Sequence, residues 1–339
     1  MVIGGWRSIV NRINRKSSFL HNFIGIDLGG TKLAGAIVDD RGQLDYKTKL
    51  SVTGEEGAQI AEKIYELIQV LIDKSFKDQR SKIGGIGISV PGIAYRSGEV
   101  WAPNIEGWDH FPLKSYLTDR LGSNTPIEIE SDRSCHLMGE IWQGSARGNK
   151  NVIFLAIGTG IGAGILVEGQ ILRGQNDIAG AIGWMALSQE YADIYKQRGC
   201  FESHASGFGL GYQADEKYKL KAINSKVKPA HTSAQDVFAA WASGDPIAIA
   251  VIQSAIQYWG MACANLVSIF NPEKIIFGGG VFGPGRHFID NIYEEAKKWA
   301  QPISIQQVQF LNSQLGEEAG LIGAAYFADK NRKTSHEAN

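Results

Sequence analysis

One arrangement of residues is written twice in this chain, and it constrains the fold more than any other feature of the sequence. FIGIDLGGTKLAGAIVDDRGQL begins at Phe23 and FLAIGTGIGAGILVEGQIL at Phe154. Each reads as an apolar strand, a Gly/Thr-rich turn and a second strand ending in a polar-Gly hairpin. A unit repeated at this scale predicts two related lobes. At 339 residues the chain also exceeds what one hydrophobic core usually serves, so two domains with a cleft between them are expected.

The text between the copies alternates strands with helices. LDYKTKLSV extends the first hairpin as a meander, residues 57 to 76 carry Ile60, Ile64, Leu67, Ile68 and Leu71 at helical spacing, and GGIGISVPG is a strand closed by a Pro-Gly turn. PIEIE (126 to 130) is a short strand, and a helix starts at Asp132 and runs to about Trp142. Beyond the second copy come a long helix at 246 to 269, the strand KIIFG, a helix near 287 to 299, the strand VQFL, and a final helix at 316 to 328 before a frayed polar tail, 330 to 339. This is α/β wiring.

Composition narrows the function. A net charge of -1 predicts no nucleic-acid partner. No apolar run reaches the length of a membrane span, so no integral membrane association is expected. Cys135, Cys200 and Cys263 are widely spaced and cannot form a closed set of pairs, which suits a reducing, cytoplasmic compartment. Residues 1 to 22 form a basic extension with Arg7, Arg12, Arg15 and Lys16 and no acid; a solvated tail is the plain reading, a membrane-surface helix or transit peptide the alternative.

Three glycine clusters carry the chemistry. Gly29, Gly30, Thr31 and Lys32 follow the first strand, where glycine lets backbone N–H groups approach a phosphate; an ordinary tight hairpin turn uses the same residues. Asp27, at the end of that strand, is placed to hold Mg²⁺ through water. Gly158, Thr159, Gly160 and Gly162 form a turn richer in glycine than a hairpin needs, with the Thr159 hydroxyl available to a phosphate oxygen. Two such turns facing each other would grip one polyphosphate. Gly278, Gly279 and Gly280 end a third buried strand and are placed to seat an adenosine. The pattern is neither a Rossmann fingerprint nor a P-loop.

With DLGGTKLAGAIVD, SVPG (89 to 92), PNIEGW (103 to 108), ESD (130 to 132), GTGIGAGI and NPEKIIFGGGV in this order, the chain resembles the ROK family of bacterial sugar kinases and repressors over roughly residues 23 to 328. The resemblance implies a two-lobed actin/hexokinase-like fold, a duplicated ribonuclease H-like architecture with the active site in the interlobe cleft. It further implies ATP and Mg²⁺ as donor and metal, a sugar or polyol acceptor, and a homodimer. The lobes would comprise 23 to 129 plus 317 to 330, and 130 to 316.

The resemblance makes Asp132 the base that deprotonates the attacking hydroxyl, a role compatible with its pattern as a helix N-cap. Asn104 and Glu202 match sugar-binding positions, and Ser131 stands where the family has Asn; a turn residue and a surface charge are the plain readings of Asn104 and Glu202. The family's Glu-x-Gly-His reads here Ala181-Ile182-Gly183-Trp184, and its Cys-rich zinc loop keeps only Cys200. A tetrahedral zinc site needs four ligands, so no structural zinc is expected. Trp184 would offer an apolar face to the acceptor ring, or else pack as core.

The leading expectation is an ATP-dependent, glucokinase-like sugar kinase. A cyclitol, ketose or amino-sugar kinase is the alternative within the class, and a nucleotide-binding pseudokinase or sensor is the alternative outside it. A DNA-binding repressor is set aside because the extension before residue 23 is too short for a helix-turn-helix.

Overall fold

The computed structural model describes residues 20–75, 81–122, 125–222 and 232–337. It contains two five-stranded mixed sheets with one wiring. The first holds β1 (Leu20–Leu28), β2 (Lys32–Val38), β3 (Leu44–Ser51), β4 (Ser81–Val90) and β7 (Ile127–Ser131) in the order β3-β2-β1-β4-β7. A small hairpin, β5 (Ile93–Ala94) and β6 (Val100–Trp101), stands apart. The second sheet holds β8 (Val152–Ile157), β9 (Ile161–Val167), β10 (Gln170–Ile171), β11 (Lys274–Gly278) and β12 (Gln309–Asn312) in the order β10-β9-β8-β11-β12. In both, the first three strands are an antiparallel meander and the last two are added in parallel. The duplication visible in the sequence is therefore a duplication of topology.

The helices are α1 (Gly57–Ser75), α2 (Leu113–Leu121), α3 (Asp132–Trp142), α4 (Tyr195–Arg198), α5 (Cys200–Ala205), α6 (Gly207–Ala222), α7 (Ala234–Ala242), α8 (Pro246–Phe270), α9 (Ile289–Lys297) and α10 (Ala319–Glu337). Helix α1 buries Ile60, Ile64, Leu67, Ile68 and Leu71 against the first sheet, each burial contributing roughly 1.5–3 kcal/mol. Helix α8 starts at a strong signal: Asp245 Oδ1 accepts the N–H groups of Ile247 and Ala248, and Pro246 occupies the first turn. It ends where Asn271 turns left-handed at φ 44°.

Helices α3 and α10 cross with almost no space between them. A methyl at Gly323 would stand 1.7 Å from the Cys135 carbonyl oxygen, and one at Gly139 would stand 2.3 Å from that of Ala319. Only glycine permits this approach. The contact fixes the start of α3, and with it Asp132, relative to α10 and the first sheet.

Four details differ from the sequence reading. Strand β1 begins at Leu20 and pairs Leu20 to Asn22 with Ser81 to Ile83, so the extension is shorter than residues 1 to 22; residues 1–19 lie outside the described residues. The final helix starts at Ala319, after a 3-10 turn at Gly316–Glu318, and runs to Glu337 where a frayed tail was expected. The helix expected near 287 to 299 is a 3-10 turn, Gly285–Phe288, followed by α9. Helix α8 is long and apolar enough to cross a membrane, with a mean hydropathy of 1.4. Half of that stretch is buried, and its apolar face, including Val251, Ile252, Trp259 and Cys263, packs in the core of the second sheet.

Candidate active site

The three glycine turns line two cavities that share Gly280. The first cavity, about 690 Å³, is lined by Gly158, Thr159, Phe208, Tyr212, Phe238 and Val281 among others. That volume suits a small-molecule site. Phe208 and Tyr212 lie with ring planes 14° apart, and the Arg198 guanidinium covers the Phe208 ring at 3.9 Å. Sequence reasoning missed this aromatic wall because α6 carries no local motif. Of Gly278 to Gly280, expected to seat the adenosine, only Gly280 lines this cavity.

The second cavity, about 540 Å³, is lined by Asp27, Gly29, Lys32, Lys49, His136 and Gly278 to Gly280, among others. Gly30 and Thr31 are exposed beside it but do not line it. Its walls present the charges a polyphosphate and its metal require. Asp27 Oδ1 accepts the Ser89 hydroxyl at 2.6 Å, and a methyl at Gly320 would stand 2.8 Å from the Asp27 carboxylate. An oriented carboxylate with room beside it fits a hydrated Mg²⁺. Lys49 pairs with Glu317 at 2.8 Å, a contact no local pattern announces.

The turn after β8 is held from behind. Glu202 Oε2 accepts the Ile161 N–H at 2.8 Å, and a methyl at Gly160 would stand 2.7 Å from that oxygen. The start of α6 closes on the same turn, with the Gly207 N–H donating to the Gly158 carbonyl at 2.7 Å. Burial raises the pKa of Glu202, and the Ile161 N–H and Arg198 oppose that rise.

Asp132 opens α3 directly after β7. Its Oδ1 accepts the Arg133 N–H at 2.7 Å, and His136, one turn on, donates Nδ1–H to the Asp132 carbonyl at 2.7 Å. Burial raises the Asp132 pKa, opposed by His136 and Arg133 and reinforced by Asp27. A carboxylate whose pKa is moved up toward neutrality is a better general base. His136 also stacks on Phe154 and lines the phosphate cavity. Its spacing of four from Asp132 was the signal that could have found it.

Other expected site residues are placed less directly. Ser131 is 3% exposed and donates its hydroxyl to Ser134 at 3.0 Å, so it braces the strand end without offering a hydroxyl to the cleft. It occupies the α3 N-cap position but makes no side-chain cap. Asn104 is exposed in the turn between Ala102 and Trp108. Trp184 is 56% exposed on the 3-10 turn Ile182–Trp184, so it is not core. Gly162 borders the Arg133 side chain and does not line either cavity.

Cys200 is buried at the start of α5. Among the described residues no group of three or more His, Cys, Asp or Glu side chains gathers as a metal site. In that region Tyr195 Oη and His204 Nε2 are hydrogen-bonded at 2.7 Å, and His204 stacks on Tyr258 at 4.1 Å with planes 7° apart.

Comparison with known proteins agrees with this geometry. The sequence model of the ROK family matches residues 23–331. A glucokinase of Halalkalibacterium halodurans is 31% identical over 327 residues, covering 94% of this chain and 98% of the relative. An N-acetyl-D-glucosamine kinase of Yersinia pseudotuberculosis is 27% identical over 323 residues, covering 90% and 98%. The crystal structure of a ROK family glucokinase from Streptomyces griseus, in complex with glucose and AMPPNP, superposes with a TM-score of 0.71 at 28% identity, covering 91% of this chain and 99% of that one. The two lobes are thus those of the actin/hexokinase-like fold.

Proposed function

This chain belongs to the ROK family, and from that premise we propose that it transfers the γ-phosphate of ATP to a hydroxyl of a sugar or sugar-like polyol. The observation that carries the reading is the pair of cavities meeting at Gly280, one walled by Phe208 and Tyr212, the other by Asp27, Lys32 and Lys49. The relatives named as glucokinase and N-acetylglucosamine kinase support it.

Phe208 and Tyr212 would flank the adenine, the turns at Gly158 to Gly160 and Gly278 to Gly280 would border the sugar and phosphates, and Lys32 would meet the terminal phosphates. Asp27 would hold Mg²⁺ through water, and that ion when bound neutralises charge on the phosphates. Asp132 takes the proton of the acceptor hydroxyl as its oxygen bonds to the γ-phosphorus and the bond from that phosphorus to the ADP oxygen breaks. Closure of residues 23 to 129 plus 317 to 330 on residues 130 to 316 would exclude water.

For the acceptor, Asn104, Trp184 and Glu202 are the residues we assign to the pocket. Trp184 would offer an apolar face to the acceptor ring, with a ketose, cyclitol or amino sugar as the alternatives to a hexose. The test is ADP release from ATP-Mg²⁺ over a panel of hexoses, amino sugars, ketoses and cyclitols, with Asp132→Asn alongside. Stimulation by one acceptor, lost in the variant, is expected. ATP binding without stimulated turnover would leave a nucleotide-binding sensor in its place.

A further inference from the structure

Glu140 is a fully buried carboxylate on α3, about two turns beyond Asp132, and the reaction above does not use it. Four donors converge on its two oxygens. Oε2 accepts the N–H and the hydroxyl of Ser145, each at 2.8 Å, from the turn that follows α3. Oε1 accepts the Ser313 hydroxyl at 2.7 Å and the Leu315 N–H at 3.1 Å, from the segment between β12 and α10. Gly144 leaves the room for this, since a methyl there would stand 2.0 Å from Oε2.

The segment held in this way is a wall of the second cavity. Asn312, Ser313, Gly316 and Glu317 line that cavity, and none of them lines the first. Ser313 passes the restraint on: with its hydroxyl hydrogen given to Glu140, its oxygen accepts the Gly316 N–H at 3.0 Å. The next residue, Glu317, pairs with Lys49 on the same cavity. The Ser313 N–H donates to the Phe277 carbonyl at 2.8 Å, on the strand that leads into Gly278 to Gly280. Between Asp132 and Glu140 on α3, His136 lines the second cavity as well. Glutamine cannot replace this carboxylate. Each oxygen faces one backbone N–H and one hydroxyl, so either orientation of an amide sets its NH₂ group against a fixed backbone donor.

We infer that Glu140 is a positioning residue for phosphoryl transfer: it ties the segment 312 to 317 to the helix that begins at Asp132, so that the wall around the phosphates and the base keep one spacing. The inference rests on the kinase reading, which puts the phosphates in the second cavity and the acceptor hydroxyl at Asp132. Spacing of this kind governs rate and affinity because the reacting groups must be held in line. A brace for stability alone would change the folded fraction and treat every ligand alike, whereas a positioning residue acts on the phosphates and leaves the aromatic cavity as it is.

The direct test is calorimetric titration of the full chain with Mg²⁺ and a non-hydrolysable ATP analogue, and separately with adenosine, alongside thermal melting. Glu140→Gln is expected to bind the analogue roughly tenfold more weakly and adenosine within about twofold of the wild type. Ser145→Ala removes one donor at Oε2 and leaves both bonds to the 312 to 317 segment, so it should melt lower yet hold the analogue within about threefold. Where Glu140→Gln does not fold, Ser313→Ala cuts the same arm and should weaken the analogue roughly fivefold with adenosine unchanged. Unchanged analogue affinity in the folded variant would overturn the inference. So would equal losses for analogue and adenosine, or a loss in Ser145→Ala as large as that in Glu140→Gln. If the dependence on Glu140 holds while no acceptor stimulates ADP release, the positioning of bound phosphates stands and the kinase reading fails.

Discussion

Ser89 and Asp27 are register partners on the adjacent parallel strands β4 and β1, and the Ser89 hydroxyl donates to Asp27 Oδ1 at 2.6 Å. Ser89 is fully buried, so its hydroxyl has one orientation to offer. It fixes one carboxylate oxygen of Asp27, a residue that lines the second cavity.

Ser89→Ala is expected to free the Asp27 carboxylate at a cost of about 1 kcal/mol, roughly fivefold in the Mg²⁺ concentration needed for half-maximal turnover. Magnesium titrations of ADP release measure this. An unchanged requirement would place the metal on other residues.

Asp132 links activity to stability through pH. Its folded pKa is raised by burial, so the native state binds a proton more tightly than the unfolded chain does. Stability from this group is therefore full below the ordinary aspartate range and is lost as pH rises through the raised folded value. Asp132→Asn should melt with the wild type in acid and above it at neutral pH, while turnover falls by about 10²- to 10⁴-fold. The wild-type rate should fall on acidification at a pH above that typical of an exposed aspartate. Coincident melting curves at pH 7 would contradict the assignment.

Gly279 and Gly280 are adjacent but should respond differently to alanine. Gly279 has φ +89°, and a methyl there would stand 2.4 Å from the Ile157 carbonyl oxygen, so Gly279→Ala should lower stability by about 1–3 kcal/mol. At Gly280 a methyl meets nothing within 4 Å, yet the residue lines both cavities. Gly280→Ala should keep the melting temperature and weaken ATP, as read by denaturation and nucleotide titration.

Arg173 closes a network between the lobes. It pairs with buried Glu130 on β7, donates to the Ala94 carbonyl at 2.7 Å, and meets Asp177 at 2.9 Å. Arg173→Met strands a buried carboxylate and should cost about 3–5 kcal/mol, of which the added Glu130→Gln should recover a large part. Additive losses in urea denaturation would argue against the pairing.

Tyr195, His204 and Tyr258 form one hydrogen-bonded and stacked group beside Cys200. Tyr195→Phe should cost about 1 kcal/mol, and a zinc chelator should leave the melting temperature unchanged. Burial lowers the His204 pKa, so this residue's contribution is lost as pH falls below the ordinary histidine range. A chelator-induced fall in melting temperature would reveal a metal.

The two lobes were legible in the chain because strand periodicity and glycine turns are local: FIGIDLGG and FLAIGTG declare their hairpins, and Asp27, Gly29, Lys32, Gly158 and Asp132 follow from positions at strand ends. What the sequence could not declare arises from contacts between residues far apart in it. The aromatic wall of Phe208 and Tyr212 joins Gly280 around one cavity only when α6 packs beside it. Glu202 reaches the Ile161 N–H from 41 residues away in sequence, a contact only the fold creates. Ser131 and Arg133 flank Asp132 in sequence, yet one is turned into the core and the other across to Gly162 and Gly180. Side-chain direction at a strand-to-helix junction is set by which lobe each residue meets, and only the tertiary structure decides that.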